Sequence, residues 1–106
     1  MHGKEILTMN NIQSQKESLI EINAELLKVI AHPSRIQIIL ALLPDKKLSV
    51  REIVDIVQMP QSTVSQHLAK LRGRVVQGRR NGLEVHYHIC NPKIVQINEI
   101  LFTQDH

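Results

Sequence analysis

Four prolines, at positions 33, 44, 60 and 92, constrain this chain more than any other feature. Proline has a fixed φ and no amide hydrogen, so it disrupts a helix from within but suits its first position. Read together with the apolar spacing, the prolines divide the sequence into short helical segments. Between Ser14 and Ala31, Leu19, Ile22, Leu26 and Val29 recur at helical intervals, and Ile20, Leu27 and Ile30 form a second stripe beside them. Two adjoining stripes make an apolar surface broader than one core contact requires. Pro33 ends that helix and opens a second, whose expected buried face is Ile36, Ile39, Leu40 and Leu43, before Pro44-Asp45 closes it. Residues 1–13 have no clear period and are expected to be frayed.

Ser49 followed by Glu52 is a capping box, in which each side chain bonds the other residue's backbone N–H. It opens a third helix with Val50, Ile53, Val54 and Val57 turned inward. Gln58-Met59-Pro60 makes a turn, and a fourth helix follows in which only Val64, Leu68 and Leu71 are apolar at helical spacing. A narrow stripe under a wide polar face anchors a helix lightly and leaves most of it outward. Next come two β-prone segments around Arg79-Arg80-Asn81-Gly82, and Asn-Gly in that setting signals a tight hairpin. With Asn81-Gly82 as the loop, Arg80 pairs with Leu83, Val76 with Tyr87 and Gln77 with His86, so that Val76, Val85, Tyr87 and Ile89 share the inward face. Asn91 then caps a last helix with Pro92 at its first position and Ile94, Ile97, Ile100 and Leu101 on its apolar side.

The 106 residues suit one domain, placed at 14–106. Tyr87 and Phe102 are the only Phe, Tyr or Trp residues, so the core is aliphatic and extra burial through an oligomer is attractive. The longest apolar run, Ile38 to Leu43, falls far short of the roughly 20 residues that span a bilayer. His2, Lys4 and Glu5 do not suit a secretory signal, and the single cysteine, Cys90, cannot form an internal disulfide. A cytoplasmic protein is expected, with no membrane partner. The net charge is only +3, but its distribution is uneven. No acidic residue lies between Ile56 and Leu83, while Lys70, Arg72, Arg74, Arg79 and Arg80 do. A field of one sign is what a surface that meets phosphates needs.

Two short helices joined by a tight turn, followed by a hairpin with arginines at its tip, make a winged helix-turn-helix of order α-α-α-α-β-β-α. A helix fits the major groove, where Ser, Thr and Gln side chains hydrogen-bond base edges or phosphates. The expected DNA-binding residues are Gln61, Ser62, Thr63, Ser65, Gln66, His67, Lys70 and Arg72 on and after the fourth helix, with Arg79, Arg80 and Asn81 on the wing. The competing function is a winged helix that binds protein, which calls for an apolar or mixed outer face on the fourth helix. RNA binding lacks the aromatic stacking platforms it uses. No nucleophile elbow, phosphate loop, zinc-protease motif or carboxylate pair appears, so an enzyme is not expected.

Leu26-Leu27-Lys28-Val29-Ile30-Ala31-His32-Pro33-Ser34-Arg35 resembles the opening of the ArsR-type (ArsR/SmtB) bacterial repressors. Gln61-Ser62-Thr63-Val64-Ser65-Gln66-His67-Leu68 is similar to their recognition helix, and Arg79-Arg80-Asn81-Gly82 through Tyr87 to their wing. The likeness spans roughly residues 15–104. It implies a homodimer joined through the first (14–31) and last (91–104) helices, and repression of a double-stranded operator that an unidentified inducer relieves. The interface residues so expected are Leu19, Ile22, Leu26, Ile94, Ile97 and Leu101. The junction between His67 and Arg79-Arg80 is about one residue shorter than the family pattern. Where metal-sensing members carry ligands, this chain has Ser49, Arg51, Asn91, Lys93 and Gln104, poor ligands for a transition metal.

No cofactor is therefore expected. His86, His88 and Cys90 alternate along one strand and share a face, the remaining candidate set for a transition metal. Consecutive members stand about 7 Å apart, wide for three ligands on one ion. His32 is read as part of the bend before Pro33, and His2 and His106 as parts of the chain ends.

Overall fold

The structure, a computed structural model, describes the backbone of residues 2–103 and the side chains of residues 14–103. Gln104, His106 and the side chain of His2 lie outside the described residues. In chain order the elements are α1 (His2–Ile30), α2 (Pro33–Leu42), β1 (Leu48–Ser49), α3 (Val50–Val57), α4 (Gln61–Leu71), β2 (Val76–Asn81), β3 (Glu84–Ile89) and α5 (Pro92–Phe102). This is the expected winged helix-turn-helix with one added strand. Helix α1 begins at His2 instead of Ser14. Residues 2–13 hold no proline, so nothing in that stretch breaks the helix before the apolar stripes begin.

The core is aliphatic, with Tyr87 its one aromatic member. Ile38, Ile39 and Leu42 of α2, Ile53 of α3, Val64, Leu68 and Leu71 of α4, and Ile94 of α5 are all buried in it. On α2 the inward face differs from expectation: Leu40 is exposed, and Ile36 and Leu43 are only half-buried. Six consecutive apolar residues offer no periodic contrast, and packing of α2 against both α3 and α4 decides the matter instead. The narrow stripe read on α4 is the stripe observed.

The capping box forms as the sequence requires. The Glu52 N–H donates to Ser49 Oγ (3.2 Å), and the Ser49 N–H donates to Glu52 Oε1 (3.0 Å). The bond from the Ser49 N–H to its charged form, above all, holds the Glu52 carboxyl below its usual value. Helix α3 ends at Gln58, whose φ of 57° is left-handed and whose N–H donates to the Val54 carbonyl. That residue turns the chain toward Pro60, which caps α4.

β1, β3 and β2 form an antiparallel sheet with β3 in the middle. The hairpin register departs from expectation: Asn81 pairs with Glu84, Arg80 with Val85, Gly78 with Tyr87 and Val76 with Ile89. The two-residue loop is therefore Gly82-Leu83. Gly82 takes φ +67° while Asn81 does not enter the left-handed region, so a single glycine at the first loop position meets the turn's demand, as in a type II′ turn. A shift of two residues keeps every side chain on its expected face, and Val76, Val85, Tyr87 and Ile89 still point inward. Gly78 is needed here, because a Cβ at that position would stand 2.7 Å from Val85 Cγ1 and 3.1 Å from the Tyr87 ring.

Candidate nucleic-acid interface

Helix α4 and the wing each present a polar and basic surface. With Val64, Leu68 and Leu71 buried, geometry forces the intervening residues out: Gln61, Ser62, Ser65, Gln66 and Lys70 are all exposed. Thr63 is half-buried. Arg72 stands exposed at the C-cap, and Gly73, with φ +91°, swings the chain from α4 toward β2. On β2, Arg79, Arg80 and Asn81 are exposed, and strand alternation sets Arg79 and Arg80 on opposite faces of the wing. A thin ribbon with a cation on each side can reach phosphates on both walls of a groove. No apolar side chain interrupts the outer face of α4 apart from the small Ala69.

Two residues of the basic window are turned away from this surface. Arg74 lies 3.8 Å from Glu25 on α1, which also meets Lys28 at 3.5 Å. His67 is half-buried and turned toward α2 and the α1–α2 link. Its Nδ1 accepts from Arg35 Nε at 3.3 Å, and its ring lies 4.8 Å from that of His32. Burial, the charge of His32 and that of Arg35 all hold its pKa below the usual histidine value. The spacing along α4 leaves His67 facing either DNA or the neighbouring helix, and in the structure Arg35 and His32 are its partners.

The six expected interface residues separate into two groups. Leu26 and Ile94 are buried within the chain's own core and Ile97 is packed against it, whereas Leu19, Ile22 and Leu101 are exposed. Ile20 and Leu27 on α1, and Ile100 and Phe102 on α5, are exposed beside them. Each of these two helices thus exposes several large apolar side chains outside the chain's own core.

His86, His88 and Cys90 are half-buried on β3 and at its end. His86 Nε2 lies 3.6 Å from Glu84 Oε2, and Cys90 Sγ lies 4.0 Å from the Gly73 carbonyl. Burial pushes the Cys90 thiol up from its usual value. Among the described residues no group of three or more His, Cys, Asp or Glu side chains could hold a metal ion together. Asn91, at a family ligand position, is engaged by its neighbours instead. Its Oδ1 accepts from the Lys93 N–H, and its Nδ2 donates to the Arg74 carbonyl. Among the described residues no helix is long and apolar enough to cross a membrane.

Residues 32–74 match the model of the family described as bacterial regulatory protein, arsR family. The chain is 50% identical over 82 residues to the transcriptional repressor PagR of Bacillus anthracis, covering 77% of this chain and 83% of that one. The crystal structure of PagR superposes with a TM-score of 0.76 at 48% identity, over 80% of this chain and 98% of its own. The crystal structure of the transcriptional repressor BigR of Xylella fastidiosa superposes with a TM-score of 0.73 at 28% identity, over 88% of this chain and 98% of its own.

Proposed function

The chain belongs to the arsR family of bacterial regulatory proteins, and from that premise we propose that it is a transcriptional repressor that binds a double-stranded DNA operator as a homodimer and is released by an inducer. The observation that carries this reading is the outer face of α4. Gln61, Ser62, Ser65, Gln66 and Lys70 are exposed together beside an arginine-bearing wing, in a stretch that lacks acid from Ile56 to Leu83. Gln, Ser and Lys at the open side of a helix supply hydrogen bonds to base edges and charge to phosphates. The alternative, a protein-docking winged helix, finds no apolar patch there. The exposed aliphatics of α1 and α5 support dimerisation through those helices, with Leu19, Ile22 and Leu101 as its core and Ile20, Leu27, Ile100 and Phe102 around them.

Footprinting on DNA upstream of the gene that encodes this protein tests the reading. The expected result is protection of a pseudopalindrome with half-sites about 34 Å apart, one helical turn. Equal protection of promoter and random fragments would refute it.

The chemistry of the inducer is narrowed by side chains. Ser49 and Asn91 are occupied in capping helices, and the raised Cys90 pKa leaves little thiolate, the form that reacts with oxidants. Operator complexes are therefore expected to survive stoichiometric zinc and a mild peroxide in a mobility-shift titration. Full release at one equivalent of zinc would make His86, His88 and Cys90 the leading effector site.

A further inference from the structure

Arg35 joins three elements. Its Nη1 donates to the Val29 carbonyl at the end of α1 (3.0 Å), its own backbone belongs to the first turn of α2, and its Nε donates to His67 Nδ1 on α4. Val29 lies in the last turn of α1, where carbonyls lack a partner within the helix. His32, in the link between α1 and α2, packs its ring against that of His67. The polar outer face of α4 is thus seated, through His67, on the end of the helix assigned to dimerisation. We propose that Arg35 and His67 form a strut that sets the angle of the recognition helix against α1, and that the strut holds only while the His67 imidazole is neutral. This deepens the operator-binding reading and rests on it.

The chemistry behind the strut is simple. An imidazole nitrogen accepts a hydrogen bond only when it carries no proton, and an imidazolium is donor-only on both sides. Protonation would therefore remove the acceptor that Arg35 uses and set a second cation beside its guanidinium. The titratable and charged groups that face His67 are Arg35 and His32, and neither favours that proton. The folded chain binds the His67 proton less readily than the unfolded chain, so this contribution to stability is present above the ordinary imidazole pKa and is lost as pH falls through the lowered one. The effect on DNA runs against bulk electrostatics, because protonating histidines elsewhere adds positive charge and tightens every DNA complex.

The measurement is the ratio of operator affinity to random-DNA affinity between about pH 7.5 and pH 4.5, a window that opens above the ordinary imidazole value and runs well below it, as the lowered His67 pKa requires. In the wild type the ratio is expected to fall about tenfold on acidification, the magnitude of one lost hydrogen bond to a charged group. His67→Asn keeps an acceptor near the place of Nδ1 but cannot titrate, and its ratio should stay flat. His67→Leu, which has no acceptor, should show the low ratio at both pH values, with circular dichroism confirming its fold. Parallel profiles for wild type and His67→Asn, or a His67→Leu protein that discriminates like wild type at neutral pH, would overturn the strut. A wild type with no preferred fragment would defeat the operator reading alone. The strut is then judged by NMR titration of the His67 ring, which should protonate at higher pH in Arg35→Met; an unchanged titration overturns it.

Discussion

A chain carrying Ile22→Glu and Leu101→Glu is expected to run as a folded monomer in sedimentation and to lose operator binding by about a thousandfold or more, down to its affinity for random DNA. Both side chains are exposed, at 62% and 63%, so neither change opens a cavity in the protomer. Two carboxylates placed on a surface that must shed water against a second copy are a different matter, since an unpaired charge is costly to bury. The loss at DNA is large because half-sites are read together. One recognition helix supplies only part of the discrimination, and linking two converts the second binding event into an intramolecular one. The same experiment with Leu26→Glu should instead unfold the chain, because Leu26 lies in the core at 6% exposure. A dimer that survives both surface changes would place the interface elsewhere.

Exchanging residues on α4 and on the wing should produce two distinct defects. Ser65→Ala with Gln66→Ala removes exposed hydrogen-bonding groups from the face assigned to base edges, where each good pairing discriminates by about 1–3 kcal/mol. Operator affinity should fall about a hundredfold while binding to random DNA stays within a few-fold. Arg79→Ala with Arg80→Ala removes a cation from each face of the wing. Both operator and random DNA should then weaken, and the slope of log affinity against log salt should drop by about two per protomer, one for each phosphate no longer neutralised. The test is a salt titration of each protein on both fragments. Identical behaviour of the two double variants would mean that helix and wing do not divide the labour of reading and positioning.

The features legible in the sequence are those whose physics is local. Ser49 with Glu52, and Asn91 before Pro92, satisfy backbone groups within a few residues, and a glycine at the hairpin tip supplies the positive φ its turn needs. Val64, Leu68 and Leu71 are legible because a narrow apolar stripe on a polar helix has one solution. What escapes depends on distant partners. The face of α2 is chosen by α3 and α4, the core position of Ile94 by the elements it packs against, and the inward turn of His67 by Arg35 on another helix. β1 is hidden because two residues carry no period. The hairpin register slips by two because Asn-Gly and Gly-Leu are both acceptable loops, and only pairing along the whole ribbon selects between them.

Ser49 belongs to the β-sheet, opposite His86, and at the same time caps α3 through its hydroxyl and its amide. The wing and the first helix of the DNA-binding pair are thus joined at Ser49, which is 5% exposed, with Leu48 paired beside it opposite Tyr87. In native-state hydrogen exchange, the amides of Glu52 and of the central wing strand should open together as one cooperative unit, with no separate fraying of the ribbon's base. For evolution, this means that the wing's length can vary beyond Arg79, provided the tip keeps the glycine its turn requires and the cations assigned to DNA. A wing grafted from a relative, however, brings its base strand into register only if the recipient keeps a small capping residue at this position.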